Sequence, residues 1–126
     1  MLKFIIAGLG GFVGAGLRYF LSTFTYKILG TDFPYGTFVV NVLGSFLIGL
    51  FMGLIDRGLI ISSNWRIFIA VGLLGGFTTF SSFSYETVEL LKQGSMLTAI
   101  ANITYTILNC LAATWLGEVI SKLIIK

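Results

Sequence analysis

The sequence predicts an all-α membrane protein with four spanning helices, and three observations carry that prediction. Only 10% of the residues are charged, while 56% are apolar and 16 more are glycine. A soluble domain carries about 25% charged residues, so this chain lacks the polar coat that water requires. The mean hydropathy is +0.99. The charges divide the chain into uncharged stretches at 4–17, 33–55, 67–85 and 93–117. A bilayer core needs roughly 20 residues of helix. Three stretches reach or approach that length, and the first does so if Arg18 lies near its end or is paired. A membrane barrel would need segments of about ten residues with alternating polarity. These runs are long and apolar on all sides. Backbone groups in lipid must bond within their own segment, which leaves helices.

The helices are expected at about 3–24, 34–55, 66–91 and 95–122, in a single domain spanning 1–126. Only Lys3 precedes the first apolar run, and no cleavage site follows, so the run reads as a retained span rather than a signal peptide. Pro34, the one proline, can open the second helix without removing an interior hydrogen bond. The third span holds Gly75-Gly76-Phe77-Thr78-Thr79-Phe80-Ser81-Ser82-Phe83-Ser84. Paired glycines are poor helix formers, and hydroxyl side chains compete for backbone bonds. A break near the middle of this helix is expected, and a break frees carbonyl oxygens that can bind a cation. Small residues at Gly8, Gly11, Gly14 and Ala15, and at Gly44, Gly49 and Gly53, fit packing within the chain and a seam between copies equally well. Lys3, Arg57, Arg66, Lys122 and Lys126 fall on the side of the termini, against Arg18, Lys27 and Lys92 opposite. That is a weak positive-inside bias, compatible with cytoplasmic termini or with insertion in both orientations.

Several function classes are excluded by what is missing. There is no histidine and one cysteine, Cys110, so intrachain disulfides and histidine catalysis are out. No nucleophile–base pair or metal-ligand cluster argues for an enzyme. No basic run invites nucleic acid. No carboxylate or lysine lies in mid-span, where a proton-coupled transporter usually keeps one.

Neutral donors and aromatic rings remain. Thr37, Asn41 and Ser45 share one face of the second helix, and Thr98, Asn102, Tyr105 and Asn109 one face of the fourth. Intramembrane asparagine is costly unless bonded, so these stripes face protein or water. Phe77, Phe80 and Phe83 recur every three residues, either as core or as ring edges presented to an anion. Ser81 joins the hydroxyls of that segment. Arg18 can snorkel or attract anions to a vestibule, and Glu86 can end a helix or mark a pore mouth. Such a lining suits passive movement of a small solute, and donors favour an anion.

Three segments resemble one known family. Gly10-Gly11-Phe12-Val13-Gly14-Ala15-Gly16-Leu17-Arg18-Tyr19 looks like its glycine-rich first helix. Gly36-Thr37-Phe38-Val39-Val40-Asn41 matches its Gly-Thr-x-x-Val-Asn motif. The run from Gly72 to Ser84 is similar to its third-helix signature. The family is that of the CrcB, or Fluc, fluoride channels. The resemblance implies an antiparallel, dual-topology homodimer in a prokaryotic cell membrane, with two pores that let fluoride leave the cytoplasm. It implies that Phe80, Phe83, Asn41, Thr37, Ser81, Tyr105 and Asn109 border the fluoride path. It implies that Arg18 is a vestibule arginine, and that the Gly75 and Thr78 carbonyls hold a structural sodium ion at the dimer centre. Ser82 stands where many members have threonine, and Asn109 where serine is common. The partners implied are fluoride, membrane lipid and a second copy, with no nucleic acid. Two rivals share the length and helix count. A small multidrug-type transporter needs a glutamate in its first helix, which 4–17 lacks. A non-transporting assembly subunit would use the same stripes for packing alone.

Overall fold

The computed structural model describes residues 1–126. It has four helical spans long and apolar enough to cross a membrane: Leu2–Leu29, Tyr35–Asp56, Ser63–Lys92 and Met96–Ile124. The first two are α1 and α2. The third divides into α3, residues 63–77, and α4, Phe80–Lys92; the last is α5. α1 continues past its expected end at Phe24 to Leu29, with Lys27 in its last turn. A lysine there complements the negative end of the helix dipole and can snorkel, so it need not mark a loop. α3 begins before Arg66 because Ser62 caps it, accepting a bond from the Trp65 amide at 3.3 Å.

The turns are set by glycine where the backbone demands it. Gly58 and Gly94 have φ of 108° and 80°. Each follows a helix, donating to the carbonyl three residues back (Gly58 to Ile55, Gly94 to Leu91), while Leu59 and Ser95 donate to Leu54 and Leu90. That bond pair closes a helix end, and it needs a left-handed residue that only glycine adopts without cost.

The four spans pack as two close pairs, α1 against α3 and α2 against α5. The glycines make both pairs possible. A β-carbon at Gly10 would stand 2.9 Å from the Gly72 Cα, and one at Gly72 would stand 2.8 Å from the Gly10 Cα. On the other pair, a β-carbon at Gly117 would lie 2.6 Å from the Leu50 amide nitrogen. Backbones at these separations gain dispersion contact that lipid tails cannot match. Gly10, Gly14, Gly44, Gly49 and Gly53 are thus used within the chain, whereas Gly8 and Gly16 face open space.

Residues Ile67–Leu74 of α3 are π-helical, with α-helical turns on either side. The Gly75-Gly76 pair remains helical, and the break falls two residues later. Thr78 and Thr79 are extended, with ψ of 158° and 110°. Outside the seams the surface is apolar: Phe4, Phe12, Phe20, Leu97 and Leu111 are all exposed, as lipid-facing residues must be.

Candidate functional site

The break exposes backbone groups that a continuous helix would pair, and side chains from neighbouring helices take most of them. The Thr79 amide donates to Asn41 Oδ1 at 2.7 Å, and Asn41 Nδ2 donates to the Thr79 carbonyl at 3.0 Å. One amide side chain therefore replaces both helical partners of Thr79. This pairing also fixes which way the amide points. Asn41 is buried and its second N–H has no partner in the chain. Thr79 caps α4, its Oγ1 accepting from the Ser82 amide at 3.1 Å and donating to Ser82 Oγ at 3.0 Å. Ser81 Oγ lies 3.3 Å from the same hydroxyl, on an exposed position.

The N-terminus of α4 thus begins in mid-span, on a partly exposed face beside buried Asn41, and its free N–H groups and dipole favour negative charge. Beside it runs a groove of about 310 Å³, bordered by Asn41, Thr79, Phe80, Phe83, Thr106 and Cys110 among others. The Phe80 and Phe83 rings sit 5.6 Å apart at 51°. Phe83 is buried, while Phe80 is 78% exposed. Both rings border the groove, and the hydrogen rim is the positive part of an aromatic ring.

One turn up α2 from Asn41 a second, more polar hollow of about 580 Å³ opens, with Ser22, Tyr26, Thr37, Ser82 and Glu86 on its wall. Glu86 is held by two hydroxyls. Tyr26 donates to Oε2 at 2.7 Å, and Thr37 donates to Oε1. The Thr37 proton is therefore committed to Glu86. Ser82 on the vestibule wall and Thr79 on the groove are joined through their hydroxyls, so polar side chains run from one hollow to the other, with the Glu86 and Glu89 carboxylates on the vestibule wall.

Arg18 borders neither hollow; its Nε donates to the Gly76 carbonyl at 2.9 Å. Gly75 is exposed on the opposite side of the same turn from the α1 seam, and with Thr78 it borders a shallow cleft of about 210 Å³. The Thr78 carbonyl accepts no hydrogen bond in the chain.

The fourth-helix stripe divides. Asn102 is 1% exposed, donates to Thr87 Oγ1 at 2.9 Å and accepts from Thr106 at 3.2 Å. Tyr105 and Asn109 point outward, and the Asn109 amide donates to the Tyr105 carbonyl at 2.8 Å. They do not meet the groove of their own chain. Thr106 and Cys110 occupy that place instead, and Tyr26 and Ser82 complete the vestibule. Thr106 follows Asn102 by one turn and was legible on that spacing. Tyr26 was hidden by Lys27, which made its segment read as loop.

The family model described as CrcB-like protein, Camphor Resistance (CrcB), matches residues 5–118. A protein of Geotalea uraniireducens named fluoride-specific ion channel FluC is 47% identical over 89% of this chain and 90% of its own. One of the same name from Geotalea daltonii is 48% identical over 93% of this chain and 94% of its own. Another, from Clostridium perfringens, is 43% identical over 98% and 97%.

Proposed function

The chain belongs to the CrcB family, and from that premise we propose that it is a fluoride channel, a multi-pass protein of the prokaryotic cell membrane that lets fluoride leave the cytoplasm down its gradient. It is not an enzyme. The observation that carries this reading is the broken third span: a helix N-terminus, the spare N–H of Asn41 and the Phe80–Phe83 rims converge on one groove with no fixed charge in it. Fluoride is small and strongly hydrated, and removing its water in a low-dielectric medium costs on the order of tens of kcal/mol. Hydroxyls, an amide and ring edges replace that water stepwise. A lysine in the same place would hold the ion too tightly for release.

The groove is open at its side, so a single chain does not enclose a path. A second copy, inverted in the membrane, closes it and yields two pores per dimer. Two features support this. Tyr105 and Asn109 would set polar groups against lipid in an isolated chain, which is costly; in a dimer they complete the partner's path. Gly75 and Thr78, whose carbonyl is unbonded in the chain, border one cleft, so opposed copies would bring two such pairs together. Neutral carbonyl oxygens suit a weakly held hard cation, and a sodium ion held there by Gly75 and Thr78 would join the two breaks and add positive potential near the anion paths.

Purified protein in vesicles loaded with potassium fluoride tests the reading. With a potassium ionophore present, fluoride leaves rapidly at equal rates with and without a pH gradient, and chloride stays. Efflux that needs a proton gradient would assign the chain to exchange transport, and no efflux to an assembly role.

A further inference from the structure

Arg18 is the only cation deep within a span, and it makes no ion pair; the chain's one salt bridge joins Lys92 and Glu89. It is half-buried and absent from the wall of both the vestibule and the groove. Its Nε–H instead meets the Gly76 carbonyl at 2.9 Å. In an unbroken helix that carbonyl would receive the Phe80 amide, four residues on; the break at Thr78 and Thr79 puts Phe80 in the next helix. The seam fixes the register of this contact. A β-carbon at Gly76 would stand 2.8 Å from the Gly11 carbonyl and 3.3 Å from the Ala15 amide nitrogen, so α1 presents Arg18, one turn beyond Ala15, at a set height.

We infer that Arg18 is a positioning residue of the ion path, acting through the hydrogen bond from its Nε to the Gly76 carbonyl rather than through its charge in a vestibule. The bond terminates α3, and so sets where Thr78 turns outward and where Asn41 and Phe80 meet the groove. This role rests on the fluoride-channel reading.

Two substitutions separate donor from charge. Arg18→Gln keeps an N–H donor at the chain position of Nε and removes the charge. Arg18→Lys keeps the charge, but places a methylene there and carries its ammonium one atom further, free to snorkel. Arg18→Met removes both. Fluoride efflux from vesicles is measured for each, with dimer assembly checked by size-exclusion chromatography. A neutral donor bond is weaker than a charge-assisted one, so Gln lowers efflux only about threefold. Lys and Met leave the carbonyl without its donor and lower efflux roughly tenfold or more. The ratios stay the same when ionic strength is raised, which would screen a charge acting at a distance. Lys exceeding Gln, equal loss in both, equal retention in both, or a Gln variant that does not assemble overturns the role. Wild type reports on the reading beneath it: absence of fluoride efflux from wild type ends the channel reading, whereas conducting wild type with Lys ahead of Gln ends only the role of Arg18.

Discussion

Asn41 spends its carbonyl oxygen and one N–H on the backbone of Thr79, and keeps a second N–H for the groove. Asn41→Asp removes both donors and sets a negative group against the Thr79 carbonyl. Leaving that carbonyl unpaired costs about 1–3 kcal/mol, and the added charge repels an anion. The expected outcome is loss of fluoride efflux at neutral pH; normal efflux would remove Asn41 from the path. On the proposed path the phenylalanines would act by their rims, each contact on the order of 1 kcal/mol. Phe80→Ile and Phe83→Ile keep apolar bulk without the rim, and each lowers efflux roughly tenfold, with dimer assembly retained on a sizing column. Undiminished efflux in both variants would remove the aromatic contribution. The sequence marked Asn41 through its depth in the span and its helical spacing with Thr37. Its use as a staple was not legible, because Thr79 stands 38 positions away. The same holds for Arg18 and Gly76, 58 positions apart. A residue's type and spacing reveal a face, but not which backbone group that face meets.

The four spans were legible as elements because each needs only length and apolarity, and both can be counted along the chain. The break was legible in the third span, near its middle within Gly75–Ser84, through its glycines and hydroxyls, but the residue at which it falls was not. Gly75 and Gly76 stay helical, and Gly76 is held against the α1 seam, where a β-carbon would crowd the Gly11 carbonyl. The chain parts at Thr78 and Thr79, where Asn41 and the Thr79 cap receive the freed groups. The π-helical run Ile67–Leu74 left no sign, since an apolar segment carries no periodicity from which to tell one helix type from another. Glycine stripes likewise could not show which helix they face. The structure turns Gly49 and Gly117 toward each other's helices, so Gly117→Val drives two methyl groups into the Leu50 backbone. Overpacking of this kind costs about 1–3 kcal/mol where neighbours can yield, and more against backbone. Gly117→Val should lower the thermal midpoint of the protein in detergent, whereas Gly16→Val, which faces open space, leaves it unchanged. Equal midpoints would show that the α2–α5 seam is looser than described.

At the scale of the molecule, the donors gather on one flank and the flank is incomplete. Phe80, Tyr105 and Asn109 are exposed and the Thr78 carbonyl is unbonded within the chain; on the proposed reading, a second copy covers them. The inverted second copy proposed here requires that single chains insert both ways, and the five-to-three division of basic residues between the two sides is weak enough to allow it. A cysteine placed in the loop between α2 and α3, in a Cys110→Ala background, should be labelled from both faces of intact cells by a membrane-impermeant thiol reagent. Labelling from one face alone would exclude inverted pairing. The path proposed here combines polar donors, ring edges and a helix N-terminus, and on that reading moves fluoride passively. The most direct test is the reversal potential of the current in a planar bilayer holding purified protein, with opposed fluoride and chloride gradients and equal pH on both sides. The account predicts reversal at the equilibrium potential of fluoride; reversal at that of chloride, or no current from assembled protein, would contradict it.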